Sequence, residues 1–135
     1  MRACPRMKLT VKHQPLGRVR VEAHGTGGKW LGTLDAVDEA NEVDIYKVEV
    51  NPALRRCGVG TRLYTYLAKW ACTQNKPLVS DTLRSPAAEA FWAKQQRKAR
   101  AICVPLQPGV APMSKSPCWY YKLKCPVTSL AGARR

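Results

Sequence analysis

The chain has 135 residues, 45% of them hydrophobic, and its 23 Lys and Arg against 9 Asp and Glu give a formal net charge of +14. That length gives room for one domain, expected to span residues 1–135, with a modest core; the composition is that of an ordinary globular chain. No apolar run is long enough to span a bilayer and Met1 to Thr10 lacks a signal-peptide core, so we expect no membrane role and a cytoplasmic location.

Six cysteines (Cys4, Cys57, Cys72, Cys103, Cys118, Cys125) include no Cys-x-x-Cys pair, and His13 and His24 stand far from any paired cysteines. Neither a metal site nor, in a reducing cytosol, persistent disulfides are therefore expected.

In chain order, Met7 to Lys12 alternates weakly and reads as a first, edge strand, broken by Gln14-Pro15-Leu16-Gly17. Arg18 to Ala23 alternates cleanly, His24 to Gly28 reads as a turn, and Lys29 to Val37 returns to make a β-hairpin. An acidic loop, Asp38 to Glu42, leads into a core strand from Val43 to Val50, stopped at Asn51-Pro52 because proline has no N–H to donate. The periodicity then changes: Val59, Leu63, Leu67, Trp70 and Ala71 recur at helical spacing. Gln74 to Pro77 ends that helix, and Leu78 to Leu83 reads as a short buried strand.

Ser85-Pro86 starts a second helix, Ser as N-cap and Pro at the first helical position, with Ala88, Phe91 and Trp92 as its apolar stripe. Lys94, Arg97, Lys98 and Arg100 make its last turns basic, which suits the helix dipole. Ala101 to Leu106 and Cys118 to Lys124 read as paired strands around a Pro- and Gly-containing loop, and residues 126–135 as a frayed basic tail. The fold class expected is mixed α/β (α+β), a mostly antiparallel sheet of six to seven strands with two main helices.

A glycine-containing turn that feeds a helix N-terminus is an anion site. The first helical N–H groups lack internal partners and the macrodipole places partial positive charge there. Gly58 and Gly60 admit a phosphate close to the backbone, and Arg55 and Arg56 add full charges, so the expected ligand is a phosphorylated cofactor. Cys57, between arginines and a helix start, reads as a small loop residue or, less simply, as an activated thiol.

Arg55-Arg56-Cys57-Gly58-Val59-Gly60, after a strand ending Val50-Asn51-Pro52, resembles the acyl-CoA pyrophosphate loop, Arg/Gln-x-x-Gly-x-Gly/Ala, of the GNAT N-acetyltransferase superfamily. Ser80 to Lys94 resembles the strand and helix that follow in that family, especially in small phage-encoded members, and the resemblance is firm over residues 43–104. It implies an acetyl-CoA-dependent N-acetyltransferase acting on a primary amine of a protein or small molecule, in the host cytoplasm if phage-encoded. It further implies that the amides of Arg56, Cys57, Gly58, Val59, Gly60 and Thr61 hold the coenzyme phosphates. The strand from Val48 to Val50 would then hold the pantetheine arm and stabilise developing charge on the thioester carbonyl.

The same resemblance points to Glu49 as general base, with Asp81 as the alternative that otherwise caps the turn before Ser85. In place of the tyrosine with which many members protonate the leaving thiol stands Trp92, whose indole N–H is no useful acid. Tyr120 or Tyr121 on the final strand is the expected substitute, Ser85 stands where an asparagine commonly contacts the coenzyme, and Trp92 either packs against the pantetheine arm or belongs to the core. The one or two helices that usually join the first two strands have no room here, which leaves the acceptor side open, or completed by a second copy (a homodimer) or by the target itself.

The charge is uneven. Residues 1–52 carry 8 Lys and Arg against 7 Asp and Glu, whereas residues 53–135 carry 15 against 2. Coenzyme phosphates account for only part of that surplus, and the remainder points to an acidic partner such as nucleic acid or simply to solubility. Two further readings follow: acetylation of a nucleic-acid-bound amine such as aminoacyl-tRNA, or a non-catalytic protein that uses the fold to bind and inhibit a partner.

Overall fold

The alternating N-terminal segments fold as an antiparallel meander, β1 (Lys8–His13), β2 (Arg18–His24), β3 (Trp30–Asp38) and β4 (Val43–Val50), in a computed structural model that describes residues 4–111 and 116–126. β5 (Leu78–Val79) pairs parallel to β4, and β7 (Cys118–Leu123) then β6 (Ala101–Pro105) complete one seven-stranded sheet in the order β1-β2-β3-β4-β5-β7-β6. The two helices are α1 (Val59–Thr73) and α2 (Pro86–Arg97). This is the mixed, mostly antiparallel α/β fold that the residues predict. Residues 112–115 of the expected loop from Gln107 to Pro117, and the tail beyond residue 126, lie outside the described residues.

β1 and β2 are joined only by a tight turn at Pro15–Gly17, so no helix stands between the first two strands. The register places Val19, Val21 and Ala23 of β2 beside Ala36, Leu34 and Gly32 of β3, and these residues are the floor on which α1 lies. The apolar stripe of α1 is wider than its sequence spacing implies: Val59, Leu63, Tyr64, Leu67, Ala68 and Ala71 are all buried. Its N-terminus presses closely on β3 at Gly32. A β-carbon there would lie 2.8 Å from Val59 Cγ1 and 2.9 Å from the Glu49 carbonyl oxygen, so only glycine fits.

The strand expected from Leu78 to Leu83 is shorter, only Leu78–Val79. Ser80 ends it by a side-chain substitution for the ladder: its Oγ accepts the Tyr121 N–H at 2.8 Å, while its own N–H still donates to the Tyr121 carbonyl. Beyond it Asp81 Oδ1 accepts the Leu83 N–H at 3.2 Å, a local turn that competes with strand pairing and leaves Leu83 exposed. α2 starts as expected, with Ser85 Oγ accepting the Ala88 N–H at 3.1 Å and Pro86 at its first position.

The cysteines correct the sequence reading. All six are paired, as Cys4–Cys57, Cys72–Cys125 and Cys103–Cys118, and none is free. The expectation of unpaired thiols rested on compartment alone, whereas the topology brings the sulfurs together. The lead-in to β1 passes the loop before α1, the end of β7 returns beside the end of α1, and β6 and β7 are neighbours. Cys57 is therefore no activated thiol in this state. Two bridges close spans of 53 residues and one closes a span of 15, worth roughly 4 and about 3 kcal/mol respectively in the chain-entropy account.

Two outcomes are expected. Thiol titration of the unfolded protein should find no free thiol without reductant and six with it, and reduction should lower the urea midpoint. Gly32→Ala should destabilise by about 1–3 kcal/mol through overpacking against backbone, read as a lower midpoint at unchanged slope.

Candidate active site

The site begins where β4 stops pairing. Against β3, Lys47 lies opposite Asp35 but Ile45 lies opposite Ala36, so Tyr46 is an extra, bulged residue. A bulge bends its strand and shifts the side-chain alternation. Here it turns Val48 and Val50 onto the α1 side, the face already occupied by Val43 and Ile45. β4 meets β5 only at Val43↔Leu78 and Asp44↔Val79; beyond that the strands diverge, and among the described residues the β5-side edge of Tyr46 to Val50 has no strand partner.

Two connected cavities fill the divergence. The outer one, about 610 Å³, is lined by Val48, Val50, Arg55, Gly58, Gly60, Thr61 and Tyr64 on one side and by Ser85 to Ala88 and Phe91 on the other. The inner one, about 210 Å³, is lined by Ile45 to Val48 of β4, Tyr64, Asp81, Leu83 to Ser85, Ala88 and Trp92. Val48, Tyr64, Ser85 and Ala88 line both.

The mouth of the outer cavity is the start of α1. Asn51 turns the chain out of β4, its side chain accepting the Ala53 N–H at 3.1 Å, and Gly58 caps the helix at φ +73°, a left-handed conformation that costs other residues about 1 kcal/mol or more. The first intrahelical donor is Arg62, to the Gly58 carbonyl, so the helix provides no partner for the amides of Val59, Gly60 and Thr61. Gly60 sits where a β-carbon would meet only Val50 Cγ2, at 3.7 Å, ordinary contact that leaves room for alanine as well. Arg55 lines the cavity, and Arg56 beside it is exposed.

The far wall is held by an ion pair between a buried arginine and a half-buried glutamate, which sequence reasoning missed. Arg84 donates to Glu89 Oε1 at 2.7 Å and to the carbonyl oxygens of Asp81, Cys118 and Trp119, while Tyr121 donates its phenol proton to Glu89 Oε2 at 2.6 Å. Burial pushes the Glu89 carboxyl up, but the bonds from Tyr121 and Arg84 outweigh it and hold it below its ordinary value. Burial and the same carboxylate push the Tyr121 phenol up. Tyr121 is 2% exposed and lines neither cavity, so its proton is committed to Glu89. The signals in the sequence were Arg84 and Glu89 themselves, one before the helix cap and one in the first turn; their common partner lies on β7, beyond any local pattern.

Of the two carboxylates singled out from sequence, Asp81 lines the inner cavity. Glu49 does not: it is exposed, opposite Thr33, and 3.5 Å from Lys47 Nζ. Trp92 is 1% exposed, with its indole against both the inner cavity and Tyr64.

The chain matches the model of the Acetyltransferase (GNAT) family over residues 10–96. It is a member of the GNAT acetyltransferase family. No curated protein sequence matches it significantly. Solved structures of similar fold include an acetyltransferase of the GNAT family from Staphylococcus aureus, 17% identical with TM-score 0.59, the match covering 81% of this chain and 70% of that one. Nourseothricin acetyltransferase is likewise 17% identical with TM-score 0.59, covering 89% and 85% of the two chains. An aminoglycoside 6′-N-acetyltransferase complexed with coenzyme A is 16% identical with TM-score 0.55, covering 91% and 78%. At such identities the likeness is one of fold, and the family match assigns the acyltransferase class.

At the root of the cleft, where β4 and β5 last touch, Asp44 has a buried Oδ1 with no hydrogen-bond partner among the described residues. Burial, a hydrogen bond with Glu42 and repulsion from Glu42 and Glu39 push its carboxyl up to about 7, against the opposing pull of Lys122. A carboxyl raised on folding binds its proton more tightly in the folded chain, so its contribution to stability is present below the unfolded value and lost as pH rises from about 4 through about 7. Asp44→Asn should flatten that decline, matching the wild type near pH 4 and exceeding its urea midpoint above about pH 7.

Proposed function

We propose that this GNAT protein uses acetyl-CoA to acetylate a primary amine of a protein or a small molecule. The observation that carries the reading is the alignment of an anion cradle with a cleft. The helix start, whose first amides have no partner within the helix, opens into a cavity that continues between β4 and β5. The residues present fit the coenzyme: Gly58 and Gly60 expose backbone, Arg55 and Arg56 supply charge, and Cys57, Val59 and Thr61 complete the loop. Val48 and Val50 give an apolar wall, the unpaired edge of β4 offers backbone donors, and Ser85, Ala88 and Trp92 form the opposite side. Bound acetyl-CoA supplies an acyl carbon activated as a thioester.

For the base we favour Asp81 over Glu49, because Asp81 lines the inner cavity whereas Glu49 stands outside it beside Lys47. Tyr121 positions rather than protonates, since its hydroxyl is held by Glu89. The inner cavity reaches Lys47, which lies opposite Asp35 on the face of the sheet away from α1, so an amine carried on a larger acceptor has an approach from that side. A cytoplasmic location fits the acetyl-CoA pool, although three disulfides are bonds that persist in oxidising surroundings.

A second reading, acetylation of a nucleic-acid-bound amine, rests on the concentration of positive charge in residues 53–135, including the exposed Arg55, Arg56, Arg62 and Lys69 of the loop and α1. Its mark is RNA binding that weakens steeply with salt.

Calorimetry with acetyl-CoA is the test. The wild type should bind, and Gly60→Asp, which puts a carboxylate into the anion cradle, should abolish binding without changing the far-UV spectrum. Absence of binding by the folded wild type would leave the family and remove the activity, favouring a protein that only binds and inhibits a partner.

A further inference from the structure

Tyr64 is buried to 5% exposure one turn into α1, yet it lines both the outer and the inner cavity, at the point where they join. Its ring is fixed on two sides, stacked on Phe91 at 4.2 Å and edge-on to Trp92 at 5.7 Å. The Trp92 indole edge lies beside that phenol and favours its ionised form. Indole nitrogen only donates, so it takes no proton from Tyr64 Oη, whose own proton is left to serve another acceptor. Burial, with the Asp81 charge adding to it and the Trp92 indole opposing it, pushes the phenol up to about 12, so the oxygen carries its proton throughout the neutral range. The charged groups that share the inner cavity with it are Asp81, Lys47 and Arg84, the last committed to Glu89.

Resting on the acetyl-transfer reading above, we infer that Tyr64 is the general acid of the reaction and that Trp92 is its positioning residue. Tyr64 hands the Oη proton to the sulfur that takes up the electron pair of the breaking carbon–sulfur bond. The acceptor nitrogen supplies the pair for the new carbon–nitrogen bond and sheds one proton, which returns to Tyr64 through Asp81 or solvent. In the interval the Trp92 indole N–H, on the ring that lies edge-on to Tyr64, stabilises the phenolate. No oxidant, metal or second acid is required. Trp92 thus contributes to proton transfer although it is itself no acid, and Tyr121 is released for its structural bond to Glu89.

Tyr64→Phe tests this, because it removes one oxygen and keeps the stacked ring. Calorimetry with coenzyme A comes first: failure of the wild type to bind would defeat the acetyltransferase reading itself, whereas binding by both proteins isolates the question of Tyr64. In that case the thiol of bound coenzyme A, titrated by the ultraviolet absorbance of its thiolate, should ionise at higher pH in Tyr64→Phe than in wild type, by about one pH unit. Turnover should fall about 100-fold with little change in KM. Trp92→Phe, which removes the indole N–H, should shift the thiol in the same direction by less, and Tyr66→Phe elsewhere on the helix should shift nothing. Equal thiol titrations in wild type and Tyr64→Phe overturn the assignment, and so does loss of coenzyme binding in a folded Tyr64→Phe, which would make the hydroxyl a binding group.

Discussion

The candidate site depends on one interruption of hydrogen bonding, the point after Asp44 where β4 ceases to pair with β5. A continuous ladder there would close the sheet and leave no cleft. The bulge at Tyr46 bends β4 away from its neighbour, while Ser80 Oγ and the Asp81 turn draw the other strand towards β7. Ser80 Oγ and Asp81 Oδ1 each accept a backbone N–H that would otherwise be orphaned, so that side of the gap opens without stranding those donors. What remains unpaired is the inner edge of β4, the backbone that a ligand in the cleft can use.

Holding such a gap open requires that both walls be rigid. On one side α1 is pressed onto β3 through Gly32, so the helix start cannot drift from the strand whose end feeds it, and the Cys4–Cys57 bridge ties the loop to the N-terminal segment. On the other side Arg84, with its side chain 1% exposed, joins the connection before α2 to β7 by two of its four hydrogen bonds, those to the Cys118 and Trp119 carbonyls, the others going to Asp81 and Glu89. Removing Glu89 would leave a buried guanidinium without its counter-charge, which is destabilising. Tyr64, Phe91 and Trp92 bridge the two walls, one ring from α1 and two from α2.

Much of this was legible because it is local. Gly58 before an apolar periodic run, Ser85-Pro86 before another, and the alternation in β2 and β3 each state their structure within a few residues. The bulge was legible too, though unread: Ile45 and Val48 are both apolar but three apart, a spacing that strict alternation cannot place on one face. The Arg84–Glu89–Tyr121 network was not legible, since it joins positions 32 to 35 residues apart through the sheet order. Nor were the disulfides, because an argument from compartment says nothing of which sulfurs the topology will bring into contact. Tyr64 fell between Leu63 and Leu67 of the apolar stripe, and only the meeting of α1 with α2 distinguishes a cavity-lining ring from a core one.

The helix-free face explains how the fold dispenses with cover over its first strands. Among the described residues no helix packs on the side of β2 and β3 that carries Arg20, Thr33 and Asp35, yet Asp35 is only 3% exposed. Its carboxylate receives two bonds from the Arg20 guanidinium, at 2.7 and 3.2 Å, and the Trp30 indole donates to Thr33 at 2.7 Å, so long side chains lie across the sheet and do the work of a covering helix. Such a face is self-satisfied and flat. Among the described residues its buried carboxylate is therefore satisfied from within the sheet, without a covering helix.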